Sequence, residues 1–150
     1  MSHDMFDDPR SHEADDLSLQ AALLERKGEH AGARELYSRA AALEEALARE
    51  APIASPRVRG VLVISAVSLW SAAGALPRAI GLADEFLGKP TLPAGERDSL
   101  AKLAEDLRAR AAQEHHHELL AELMDTWLRR EPSGPDFDPD KLERVRIEAA

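Results

Sequence analysis

The chain contains no cysteine. That excludes a disulfide framework, cysteine-ligated zinc, iron–sulfur clusters and thiol nucleophiles. Aromatic residues are scarce, at 4%. Long apolar runs are lacking too. The most apolar stretch, Gly60 to Ala73, has 14 residues and carries Ser65, Ser68 and Ser71, short of the roughly 20 needed to span a bilayer. The first residues, MSHDMFDD, offer neither a basic nor an apolar segment of a secretory signal, so a cytoplasmic location is the expectation. Basic stripes are missing as well. Net charge is −9, with 28 acids against 19 Lys and Arg. Residues 1–16 hold −5 of it and residues 131–150 hold −3, leaving the middle of the chain nearly neutral. A chain without a basic face does not track phosphates, and an anionic membrane surface is disfavoured for the same reason.

What is present is material for a helical domain. Its 150 residues are 44% apolar and 31% charged, a globular composition of one-domain length. Ala is the commonest residue at 27, and Arg outnumbers Lys 15 to 4, which suggests GC-rich coding and a bacterial origin. Residues 1–13 are acidic and contain Pro9, and are expected to be disordered. From there the apolar spacing is helical. Leu17, Ala21 and Leu24 share a face that stops at Gly28, and Ala33, Leu36, Tyr37, Ala40, Leu43 and Leu47 form the next stripe. After the linker APIASPR, the segment from Arg57 to Ala73 is apolar on most sides except for its serines, as suits a central helix. Gly74 ends it, and Leu76–Leu87 follows with Pro77 in its first turn.

Between Ala94 and Arg130 Gly95 is the sole glycine and there is no proline. Leu100, Leu103, Leu107 and Ala111 make one stripe there, and Leu119, Leu120, Leu123, Met124, Trp127 and Leu128 make another, out of phase by about two residues. The region is either one helix that changes partner near residue 114 or two helices broken within Gln113–His117. The second stripe is expected to pack inward, with Met124 and Trp127 as an alternative anchor for a partner. The spacing therefore predicts helices near 15–27, 31–50, 57–73, 76–87, 95–113 and 115–130, then a linker over 132–150 with a short helix near 139–148.

Two segments share a plan. Aligning Gly28 with Gly74 sets Leu17 on Val63, Ala21 on Val67, Leu24 on Trp70, Ala33 on Ala79, Leu36 on Leu82 and Ala40 on Phe86. The motifs G-E-H-A-G-A-R-E-L-Y-S-R-A (Gly28–Ala40) and G-A-L-P-R-A-I-G-L-A-D-E-F-L (Gly74–Leu87) are similar to the tetratricopeptide repeat. The resemblance covers residues 15–87. The family repeats every 34 residues, whereas these glycines stand 46 apart, the excess lying in a longer second helix and the APIASPR linker. The resemblance implies an all-α domain over 14–131, built of antiparallel helical hairpins in a right-handed superhelix with C-terminal capping helices.

It also implies a groove along the first helix of each pair, here Asp15, Ser18, Ala22, Glu25 and Arg26, then Val61, Ile64, Ser68, Ser71 and Ala72. That patch is mixed and weakly charged. An apolar or helical segment of another protein fits it better than a charged peptide, and the leading expectation is a non-enzymatic adaptor or accessory subunit. Catalysis finds no footing. No G-x-S-x-G elbow surrounds the serine stripe, and no phosphate-binding or dinucleotide fingerprint occurs, so no cofactor is expected. Glu114-His115-His116-His117-Glu118 is the remaining chemical feature. Glu114 and His117 sit three apart on one helical face, with Glu118 beside them, which makes these three the candidate metal ligands. Successive histidines, however, point about 100° apart on a helix, and no second Glu-x-x-His completes a binuclear site. A metal-responsive regulator is one alternative function; a scaffold that associates with its own copy is the other.

Overall fold

Gly28 and Gly74 share one backbone conformation, φ +79° at both, and each closes a helix in the same way. In the computed structural model, which describes residues 7–52 and 55–130, the Gly28 amide donates to Glu25 and the Glu29 amide to Leu24. The Gly74 amide donates to Ser71 and the Ala75 amide to Trp70, every one of these bonds at 3.0 Å. This paired bonding is the Schellman cap, whose left-handed residue favours glycine because it lacks a Cβ. In both places the next helix starts at once, without a side-chain cap. Two helical hairpins result: α1 (Pro9–Arg26) with α2 (His30–Glu50), and α3 (Pro56–Ala72) with α4 (Leu76–Leu87). A fifth helix, α5, covers Ala94–Arg129. The described residues are helical, with no strand among them.

Several boundaries differ from the spacing-based reading. Helix α1 begins at Pro9, inside the segment expected to be disordered. The carboxylate of Asp8 accepts from the Arg10 amide at 2.9 Å, and Pro9 occupies the first helical position, where its missing N–H costs nothing. Ser11 is buried, so residues 9–13 belong to the packed helix; residues 1–6 lie outside the described set. Arg10 also grips Glu50 at 2.7 and 3.0 Å, tying the start of α1 to the end of α2. The two helices expected at 95–113 and 115–130 are one. No helix breaker interrupts that span, and the change of stripe near 114 alters which face is apolar without breaking the backbone. The expected helix near 139–148 and the linker before it fall outside the described residues.

The chain divides into two units, the first reaching Ala112 and the second starting at Gln113. Within the first, α1 packs on α2, α2 on α3, and α3 on α4. Small residues make these contacts close: Ala33, Ala40, Ala41 and Ala48 of α2 and Ala66, Ala79 and Ala83 beyond it are at or near zero exposure. The main core gathers Leu47, Leu62, Val63, Val67, Trp70, Leu82 and Phe86, and takes Leu100, Ala104 and Leu107 from the first half of α5. At 25 cal/mol per Å² of apolar surface, burying each large side chain contributes about 2 kcal/mol. At Gly60 of α3 the start of α5 comes close. A Cβ there would stand 2.7 Å from Cγ of Glu96. Farther along, Arg110 of α5 donates to the Ser71 hydroxyl of α3 at 2.9 Å. A smaller cluster joins Ala14 and Leu17 of α1 to Ala40 of α2, with Leu36, Leu43 and Leu69 packed against it.

Candidate functional site

The residues that the repeat resemblance singles out lie on α1 and α3, the first helices of the two hairpins. On α1, Asp15, Glu25 and Arg26 are exposed, while Ser18 and Ala22 are half-buried. The Ser18 hydroxyl is spent on the Ala14 carbonyl one turn back, at 2.8 Å. On α3, Val61, Ser68 and Ala72 are exposed and Ile64 is half-buried against the core. Ser71 is the exception. It is buried and engaged by Arg110, so it belongs to the α3–α5 contact and not to an open face. Ser68, three residues earlier, stays exposed.

Spacing alone missed two members of the α1 face. Leu19 is 63% exposed and Leu23 is 48% exposed. At 100° per residue both project from the side that carries Asp15, Ala22 and Arg26, away from the buried Leu17 and Ala21. The signal was available as a second apolar pair, four residues apart, out of phase with the inward stripe. With Val61 at 43% exposure, these residues give the two first helices an apolar character that Ser, Ala and Asp alone lack.

Polar contacts cluster elsewhere, on the side formed by α2, α3 and α4. Glu45 accepts from the Trp70 indole at 3.2 Å and from Arg78 at 3.4 Å. Arg49 binds Glu85 at 2.5 Å, which holds the Glu85 carboxyl below its ordinary range. Arg78 also stacks 4.3 Å from the centre of the Trp70 ring. All these groups are paired, and the network reads as a tie between helices. Glu44 is different. It is 5% exposed, and burial first, then the charge of Asp15, pushes its carboxyl up to about 7. Tyr37 is also raised, by burial and by Glu25.

The histidine segment does not assemble a metal centre. Among the described residues no group of three or more His, Asp or Glu side chains is placed to hold a metal ion. Glu114, His117 and Glu118 therefore share a helix turn without a further ligand among the described residues, and the rings of His116 and His117 are 6.4 Å apart and tilted by 57°. The expected inward packing of the second α5 stripe is overturned. Leu119, Leu120, Leu123, Met124, Trp127 and Leu128 are all exposed. Among the described residues no helix is long and apolar enough to cross a membrane. No protein-family model, no curated protein and no solved structure matches the chain.

Proposed function

We propose that the chain is a non-enzymatic adaptor or accessory subunit that holds an apolar or helical segment of another protein against α1 and α3. The observation that carries this reading is the exposure of Leu19, Leu23 and Val61 on the first helices of the two hairpins. Exposed large apolar side chains set among small and polar ones are what an amphipathic helix uses as anchor points. The reading also takes the hairpins as degenerate tetratricopeptide-like units of one superhelix. What supports it is the recurrence of the same glycine cap 46 residues apart, with the same bonds on both sides. In that arrangement α5 stands where the first helix of a third unit would, and Arg110 on Ser71 closes the groove at that edge.

The test uses Leu23→Asp combined with Val61→Asp. Both side chains are exposed, so the fold loses no more than a surface substitution costs, about 0.5 kcal/mol each. Ile64, packed against the core, is the wrong position to change. The intact chain and the variant are each used to capture partners from the lysate of the source cell. A stoichiometric protein held by the parent and released by the variant is the expected result. Retention of every partner by a variant with an unchanged melting curve refutes the reading.

A further inference from the structure

Helix α1 buries Ala14, Leu17 and Ala21 on its inner side. Leu19 and Leu23, 63% and 48% exposed, stand on the opposite side. At 100° per residue they lie about 20° to either side of that outer midline. Four charged residues flank them, Asp15, Asp16, Arg26 and Lys27, and all four are exposed. Asp15 and Arg26 fall on one flank, within about 60° of the midline, and Asp16 and Lys27 fall on the other at the same angles. None of the four forms an ion pair with another described residue.

The needs of the helix itself do not explain where these acids stand. Helix α1 has no acid in its first turn, the place where a carboxylate meets the free N–H groups and the positive end of the dipole. Asp15 and Asp16 come in the second turn. Three and four residues on from them are Ser18, Leu19 and Gln20, so neither has a basic neighbour ahead on its own helix. The order of the six side chains is nevertheless regular about residue 21. Leu19 and Leu23 lie two residues to either side of it, the acids five and six before it, the bases five and six after it. An antiparallel copy, related by a two-fold axis at residue 21, sets Asp15 opposite Arg26 on one flank and Asp16 opposite Lys27 on the other. Leu19 and Leu23 of both copies meet between them. Each charge pair occurs twice, as a self-complementary two-fold contact requires. Parallel pairing would set acid on acid and base on base. Two leucines a side make a small contact, so the association is weak, and the charges fix its orientation more than its strength.

We propose that α1 pairs antiparallel with α1 of a second copy of this chain, joined by Leu19 and Leu23 and oriented by Asp15, Asp16, Arg26 and Lys27. The pairing goes beyond the adaptor reading and does not rest on it. A second copy covers two of the leucines that a partner helix would use, so copy and partner compete. The experiment uses the full chain and two charge variants. Asp15→Arg with Asp16→Lys leaves only bases on the outer side of α1, and Arg26→Glu with Lys27→Glu leaves only acids. Solution mass is read by sedimentation equilibrium from about 10 μM to 1 mM, the range suited to a small, weak contact. The parent is expected to rise from 16.4 kDa toward twice that mass, and to do so less in about 500 mM salt than in about 20 mM. Each variant alone is expected to stay at the monomer mass. Their equimolar mixture is expected to dimerise again, because a basic α1 then meets an acidic one. The milder pair Asp16→Lys and Lys27→Glu carries the same expectation should either double variant lose its helical circular dichroism. A parent that is monomeric at the highest concentration and low salt overturns the proposal. A dimer that both variants retain overturns it too and places the association elsewhere on the chain, as does a mixture of folded variants that stays monomeric. Leu23 and Val61 are unchanged in these variants, so partner capture by them scores the adaptor reading separately.

Discussion

Glu44→Gln isolates the cost of one buried carboxylate, and its size follows from the structure. Glu44 sits in α2 at 5% exposure. Burial, with Asp15 adding to it, lifts its proton affinity from the ordinary 4.5 to about 7. Below the lower value both folded and unfolded chains carry the proton, and the site has no pH-dependent cost. Between the two values the folded chain keeps a proton that the unfolded chain has released, so stability falls as pH rises through this window. Above about 7 the folded chain bears the full penalty, about 3 kcal/mol at 1.4 kcal/mol per tenfold change in affinity. Glutamine has the same shape and no charge to desolvate. The variant is therefore expected to match the parent near pH 4. Near pH 8.5 it should melt higher by roughly 6–12 °C, taking 2–4 °C per kcal/mol at this chain length. Thermal melts followed by circular dichroism at 222 nm, at both pH values, read the difference. Asp15→Asn should move the parent in the same direction at high pH by a smaller amount, since Asp15 is the lesser cause. An advantage of Glu44→Gln that is equal at both pH values would falsify the argument, because the carboxyl would then not be desolvated in the fold.

Three further outcomes are expected. Gly74→Ala, and separately Gly28→Ala, should each lower stability by about 1–2 kcal/mol, the cost of placing a Cβ at positive φ; denaturant melts as stable as the parent's would contradict the caps. Leu100→Ala, at a fully buried position, should cost about 2–5 kcal/mol. Leu128→Ala, at 82% exposure, should stay within about 0.5 kcal/mol when measured at a monomeric concentration. Equal costs at these two positions would mean that the halves of α5 are not distinguished by burial. Excess zinc or nickel should leave the melting temperature unchanged, since the turn of Glu114–Glu118 supplies no converging ligand set. A saturable shift abolished by His117→Ala would restore a metal role.

Much of the first unit was legible from spacing. Gly28 and Gly74 announced their turns because the left-handed cap leaves glycine as the residue of choice, and the bounds of α4 follow from Gly74, Pro77 and Gly88. The start of α1 was hidden because Asp8 and Pro9 stand in an acid-rich stretch, where their capping role competes with a reading by composition. In α5 two kinds of information pulled apart. Backbone continuity depends on local propensity, and nothing between Glu96 and Arg129 resists helix. The phase of the apolar stripe depends on partners, and it shifts after Ala111 because Leu100, Ala104 and Leu107 face the core whereas Leu119–Leu128 do not. A phase shift is thus compatible with one helix or with two, and the structure shows one. Burial of the second stripe was not legible at all, because periodicity shows that a helix has an apolar face without showing what covers it. On the α1–α3 face, Leu19 and Leu23 were overlooked for the complementary reason. One stripe accounted for the helix, and a second pair out of phase with it looked like noise.

The chain's two tryptophans occupy contrasting settings. Trp70 is 7% exposed, with its indole bonded to Glu45 and Arg78 stacked on the ring. Trp127 is 48% exposed on the apolar stripe. Their emission therefore reports separate events with opposite sign. Loss of the first unit's packing wets Trp70 and moves its fluorescence to the red. Covering the stripe dries Trp127 and moves its fluorescence to the blue. A single optical titration of the unlabelled protein can then tell docking from unfolding, and Trp70→Phe or Trp127→Phe silences either channel in turn.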